Sequence, residues 1–372
     1  MRIFYFLLPL LLFGCTEKEK IQVLKPTQQV DAPYLTGYMG SEVGVTVMDS
    51  IIYFLKINRG TQTVNSYNTL TGDSTTYTIG DYGRLHFIAG LKDSLVIGMP
   101  RYGNKIVVLD LKSGEKVLFE GSELPIERNY PESRIDTFRI MQRSVFRSPP
   151  GLCNNTIYIH QIPYVTGKEG YYRFPNILSW DIETAEYDYF GSYPPFMVYI
   201  ENSFGLHGVF LSIVCGDNDQ ILVNFPMDEE IHKFNGKREL ETKVSAVSQF
   251  LDEMPPEPLR FKENEDMNQY VVQYAAEIPS YYTLLKDEEM DIYYRIVLHE
   301  MDFIDEDGNI QTRTHKPWSV MVLDKDLETI GEHYFPPKTF NFNRLFTGLG
   351  GLWIKEFEGS KFHKFELNDE LL

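Results

Sequence analysis

A strand-turn unit recurs along this chain, and no other feature restricts its fold as much. The first clear copy is Asp49-Ser50-Ile51-Ile52-Tyr53-Phe54, a polar loop at Asn58-Arg59-Gly60, then Val64 to Asn68 and a turn reaching Gly72. The second is Asp93-Ser94-Leu95-Val96-Ile97, a loop at Arg101-Tyr102-Gly103-Asn104, then Ile106 to Asp110 and Gly114. Weaker copies end their strand at Asp181, Asn235, Asp324 and Glu366, and 42 residues separate Asn68 from Asp110 and Asp324 from Glu366. The turn chemistry is specific. An Asp or Asn side chain accepts the backbone N–H groups that follow it, and Gly takes positive φ without a Cβ clash.

A further strand precedes each unit, as at Val43 to Met48 and His86 to Ala89, and another follows the Gly turn, as at Thr75 to Ile79 and Lys116 to Glu120. Four strands per repeat, arranged radially, make a propeller blade. Twenty-four strands of roughly 5 to 6 residues need about 130 residues, well within the 372 present. The fold class is therefore all-β, a six-bladed β-propeller. The last copy leaves no room for a fourth strand, so Ile21 to Leu24 is expected to close that blade from the N-terminus and remove an exposed edge. An aromatic content of 14% fits strands that pack face to face.

The N-terminus carries the address. Arg2 and the apolar run Ile3 to Phe13 read as an export signal, too short for a span of about 20 apolar residues. It ends in Leu12-Phe13-Gly14-Cys15, which resembles a bacterial lipobox. Residues 1–14 are thus expected to be a signal peptide, Cys15 the lipid-bearing residue, 15–20 a tether and 21–372 the propeller. The expected partner is the membrane, reached through acyl chains, and the expected location the outer membrane of a bacterial envelope. Cys153 and Cys215 sit at similar places in their repeats, which favours two separate buried thiols, although an oxidising compartment leaves a disulfide open.

Two long insertions are expected. Residues 121–150 hold Arg139, Arg143 and Arg147 at helical spacing; residues 251–280 are acidic, start at Pro255-Pro256-Glu257-Pro258 and predict a short helix over 267–278. Loops between second and third strands share a rim with these insertions. Arg59, Arg101, Tyr102, Tyr172, Arg173 and His315 fall in those loops and are the candidate binding residues. Arginines beside turns also cover apolar surface and pair with nearby acids.

No zinc motif, phosphate loop or nucleophile elbow is present, and the eight histidines are scattered, so no catalytic residue, metal or cofactor is assigned. Asp305-Glu306-Asp307-Gly308-Asn309 places Gly too early for a calcium loop and reads as a hairpin turn flanked by Ile304 and Ile310. A net charge of −18, or −19 after cleavage before Cys15, speaks against nucleic acid as a partner.

The lipobox, the Thr16-Glu17-Lys18-Glu19-Lys20 tether and the Ile106 to Glu115 blade unit together resemble the uncharacterised Bacteroidota lipoproteins with a six-bladed propeller and NHL- or TolB-like blades. The resemblance implies the fold and the anchor, and it transfers no catalytic residue. The expected function is a non-catalytic binding propeller for a protein, peptide or glycan. The alternative is a propeller hydrolase or lyase, which needs converging His and carboxylate groups at the channel mouth.

Overall fold

The computed structural model describes residues 23–32, 43–58, 61–80, 85–100, 105–120, 135–140, 150–165, 175–198, 204, 208–258 and 267–368. Six antiparallel sheets follow one another along the chain. Blade one is β2(Val43–Met48), β3(Ile51–Asn58), β4(Thr63–Asn68) and β5(Ser74–Thr78), and blade two is β6(Leu85–Lys92), β7(Leu95–Pro100), β8(Lys105–Asp110) and β9(Lys116–Glu120). Blade four is β15(Ser212–Cys215), β16(Ile221–Asn224), β17(Glu230–Phe234) and β18(Leu240–Ser245). Blade five is β19(Ser280–Asp287), β20(Ile292–Leu298), β21(Trp318–Leu323) and β22(Thr329–Phe335).

Blade six carries the ring closure. Its strands are β23(Phe340–Thr347), β24(Leu352–Glu356) and β25(Lys361–Leu367), and its outer strand is β1(Leu24–Asp31) from the other end of the chain. Leu24 pairs with Leu367 and Asp31 with Lys361. The expected closure is present, but it runs onward from Leu24 to Asp31, and residues 21 and 22 lie outside the described residues.

Blade three is irregular. Its ten-residue strand β12(Thr156–Val165) is long enough to pair two short inner strands end to end. These are β11(Gly151–Cys153) against Tyr158 to Thr156, and β10(Ile135–Ile140) against Val165 to Gln161. β13(Ile177–Asp181) and β14(Tyr187–Phe190) complete the sheet. The helical spacing read at Arg139 is thereby corrected, because Arg139 lies in β10 and pairs with Ile162. Cross-strand pairing overrides a spacing carried by only three arginines. Arg143 and Arg147 lie outside the described residues. The second insertion does hold the expected helix, Met267–Glu277.

Alternation along the strands explains the packing. In blade five, Tyr281 and Tyr293 face blade four, where they meet Leu222 and Ile231. Their chain neighbours Tyr282 and Tyr294 face blade six, where they meet Phe342 and Ile354. Equivalent clusters fill the junctions of blades one with two, two with three and three with four. The last joins Ile52 and Phe54 of blade one to Phe346, Trp353 and Phe362 of blade six, so the ring is closed by core packing as well as by β1. Both faces of a blade are buried, which is why Val320 to Leu323 is an unbroken apolar run with no polar alternation.

The strand-ending residues do what their type predicts. Asn68 Oδ1 accepts the N–H groups of Leu70 and Thr71, Asp181 Oδ1 those of Glu183 and Thr184, and Asp324 Oδ1 those of Asp326 and Glu328. Ile304 and Ile310 form the bridge that flanks the Asp305 turn. Asp305 Oδ1 accepts the Asp307 and Asn309 N–H groups there.

Cys153 and Cys215 are joined in a disulfide, with Cα atoms 5.5 Å apart. The expectation of two separate thiols is corrected. Their similar repeat positions, taken in sequence as a sign of independence, put both at the ends of the innermost strands of adjacent blades, where equivalent residues are near neighbours.

Candidate functional site

The innermost strands of a propeller run side by side along its axis, so their ends define two mouths. At the end where they turn into the second strands, a cavity of about 450 Å³ is walled by all six blades. That volume falls in the range of small-ligand sites. Its lining is mixed, with polar groups beside apolar residues such as Val47, Leu91, Ile213, Leu285 and Phe346. Close approach of β2 to β6 shapes one side: a Cβ on Gly44 would stand 2.3 Å from the Ile88 carbonyl oxygen, and one on Gly90 2.5 Å from that of Val45.

The mouth is acidic. Asp49, Asp93, Asp287, Glu288 and Glu289 line it, with Lys92 and Lys286 as the lysines. Lys286 Nζ lies 3.4 Å from both Asp217 and Glu288 and 3.5 Å from Asp291. Burial alone would lower its pKa, but the Tyr293 ring and these carboxylates outweigh burial and hold it above the usual lysine range. Asp287 is 1% exposed. Its Oδ1 accepts the N–H groups of Glu289 and Met290, while its Oδ2 is buried with no hydrogen-bond partner. Burial raises its pKa, ahead of the opposing effect of those two N–H donors.

The sequence-predicted residues belong to the other rim, where the second strands end, as at Asn58 and Pro100. Arg59, Arg101, Tyr102, Tyr172 and Arg173 lie outside the described residues, as does Cys15. His315 is described: its Nδ1 is 3.0 Å from Gln311 Oε1, and its ring meets Phe357 edge-on at 6.0 Å. The residues flanking it matter more. Lys316 is buried and donates to the Ile278 carbonyl, and the Arg313 guanidinium lies over the Tyr282 and Phe342 rings at 5.2 and 5.7 Å. The cavity itself was not legible, because the acids lining it sit in ordinary strand-one turns in the sequence.

Two polar clusters on blades four and five were also unforeseen. Ligand atoms of Asp228, Glu230 and His232 lie within 4.8 Å of one another, a spacing that suits a metal ion. Each is already engaged: Asp228 Oδ2 with His232 Nε2 at 3.0 Å, and Glu230 with Lys243 at 2.9 Å. Arg295, fully buried, adds positive charge there by donating to the carbonyls of Asp228, Glu229 and Ala246 and to Asn224 Oδ1. These contacts make the cluster a strut between blades four and five.

In the second cluster, Glu332 accepts hydrogen bonds from Ser248 Oγ, the Gln249 N–H and Ser319 Oγ, and Ser319 Oγ lies 3.0 Å from His299 Nε2. Here the carboxylate binds the serine, whereas in a catalytic triad it orients the histidine. Ser319 is fully buried, and burial pushes the His299 pKa down to about 4. The His and carboxylate that converge in blade five thus lie away from the channel mouth.

The architecture and the family comparison agree. Residues 154–334 match the DUF4221 family model, a domain of unknown function. A crystal structure of a DUF4221 family member from Bacteroides vulgatus superposes with a TM-score of 0.70 at 18% identity, over 93% of this chain and 98% of that one. This likeness establishes the shared six-bladed fold. Virginiamycin B lyase from Staphylococcus aureus gives a TM-score of 0.44 at 14% identity, covering 93% of this chain and 100% of that one. A PQQ-bound aldose sugar dehydrogenase from Streptomyces coelicolor gives 0.43 at 15% identity, covering 93% and 98%. Scores this low carry no argument about chemistry. No curated protein matches the chain.

Proposed function

We propose that this chain is an envelope-anchored binding propeller whose channel cavity receives a cationic group carried on an apolar body. A lysine- or arginine-bearing segment of a partner protein or peptide has that chemistry. The observation that carries the reading is the cavity itself, with apolar residues in its wall, a carboxylate-rich mouth and a buried Asp287 oxygen that lacks a donor. An ammonium group would supply that donor, and the wall would take the attached methylenes at about 25 cal/mol per Å². The overall charge of −18 would favour encounter with a basic partner.

Two features support the envelope. The Cys153–Cys215 disulfide is the usual mark of an oxidising compartment. The lipobox-like Leu12 to Cys15 supplies an anchor, and β1 begins at Leu24 beside Leu367, at the rim where the cavity opens. The seven residues between Cys15 and Val23 reach at most roughly 25 Å. A lipid on Cys15 would therefore hold the cavity rim toward the bilayer and present the other rim outward.

Calorimetry on the full chain tests the cavity with hexylammonium and 1-hexanol. Hexylammonium is expected to bind at least tenfold more tightly than the alcohol, and Asp287→Asn with Glu289→Gln to remove that preference. Equal affinity for the two probes would sink the reading. Fractionation of the Cys15→Ala variant tests the anchor, with the protein expected to leave the membrane fraction.

A further inference from the structure

The rim of blade five opposite the cavity holds two buried basic side chains, Arg313 and Lys316. Burial lowers the pKa of both, and the nearby Arg313 charge lowers that of Lys316 further. Among the described residues, neither forms an ion pair. Lys316 Nζ donates to a neutral acceptor, the Ile278 carbonyl. Glu277 and Glu300 act on Lys316 only at longer range. Arg313 Nη2 donates to Asn343 Oδ1 at 3.3 Å, and its Nη1 is buried with no hydrogen-bond partner. His299, on which the Lys316 charge also acts, has a buried Nδ1 with no partner.

An unpaired buried cation is costly, and two together cost more, unless an anion joins them. The frame around Arg313 is rigid. Tyr282 and Phe342 meet edge-on at 5.2 Å beneath the guanidinium, and Tyr282 Oη donates to Asn343 Oδ1 at 2.8 Å. A guanidinium fixed in this way offers its free N–H in one direction, the geometry that suits carboxylate and phosphate oxygens. His315, the residue singled out in sequence, lies between the two cations in the chain and is held against Gln311.

We propose that Arg313 and Lys316 form an oxyanion site on the second-to-third-strand connection of blade five, at the rim opposite the cavity. The oxyanion is a phosphate or a carboxylate presented by a ligand at that rim. It would accept from Arg313 Nη1 and supply the negative charge that Lys316 lacks. The site stands independently of the cavity, since no residue is shared between them.

The test is thermal unfolding and calorimetry of the full chain in an oxyanion-free buffer. Inorganic phosphate and acetate are titrated separately, at matched ionic strength set with chloride. One of them is expected to raise Tm in proportion to the logarithm of its concentration, and which one does so names the source. Arg313→Gln should weaken its binding at least tenfold. Should that variant not fold, Lys316→Gln decides by the same criterion. No rise in Tm with either anion, or an equal rise in the variants, would overturn the site.

Discussion

The backbone N–H of Leu24 donates to His333 Nδ1 at 3.2 Å. Leu24 opens the strand that closes the ring, and His333 lies in the outermost strand of the preceding blade. The bond requires a neutral imidazole with an unprotonated Nδ1. Burial provides that state by pushing the His333 pKa down to about 4.

Acid should therefore loosen this protein in a defined window. Below about pH 6.5 an unfolded chain takes up protons at His333 and His299 that the folded chain resists until about pH 4. The stabilisation is fully present above the unfolded pKa and is lost as pH falls toward the folded one, on the order of 3 kcal/mol for each histidine. Denaturant midpoints should drop steadily between pH 7 and pH 4. His333→Gln, which keeps an acceptor and does not titrate, should flatten that slope. An unchanged slope would contradict the role given to His333.

The disulfide closes a loop between residues 62 apart in sequence. On the chain-entropy model such a loop contributes about 4 kcal/mol. Reduction, or the Cys153→Ala and Cys215→Ala pair, should lower stability by about that amount. The loss should open the junction of blades three and four first, since both cysteines sit there. Hydrogen exchange at Ile213 and Val214 reads this directly.

Arg295 holds blade five to blade four through four acceptors, with its guanidinium 3.6 Å from the Tyr281 ring centre. Arg295→Met takes the donor from the Asp228 and Ala246 carbonyls and from Asn224 Oδ1, and leaves the Glu229 carbonyl with the Ala246 N–H alone. A loss of about 3 to 5 kcal/mol is expected. Arg295→Lys should recover little, because one ammonium cannot span the same acceptors. Urea unfolding of the two variants measures both.

Glycine at positions 44 and 90 is required by the neighbouring backbone. In each case the obstacle is a carbonyl oxygen 2.3 to 2.5 Å from the added methyl, which cannot rotate away as a side-chain tip can. Gly44→Ala and Gly90→Ala should each cost roughly 1 to 3 kcal/mol. They should also weaken hexylammonium binding, because blades one and two form one side of the cavity wall.

The fold was legible because its signals are local. Asn68, Asp110, Asp181, Asn235 and Asp324 each accept hydrogen bonds from the residues directly after them, so residue type and position suffice to place the turn. The strands between these turns follow from apolar runs, and the count of six follows from the repeat. Strand β10 was hidden because its partner, the far half of β12, begins 21 residues after β10 ends. The Cys153–Cys215 bond was misread because its geometry depends on two blades lying side by side.

By itself, then, the sequence determined the architecture: an all-β ring of six uneven blades, sealed by a strand from the N-terminus. It also pointed to the rim where Arg313, His315 and Lys316 sit, through the spacing of His315 from Asp324. Tertiary structure alone decided which charges are buried together and which lie around one cavity. Asp49, Asp93 and Asp287 belong to three blades, and only closure of the ring sets them around one mouth. Turn chemistry acts over a few residues and is written in order along the chain. Desolvation and charge pairing act through space, and so they appear only once the blades have met.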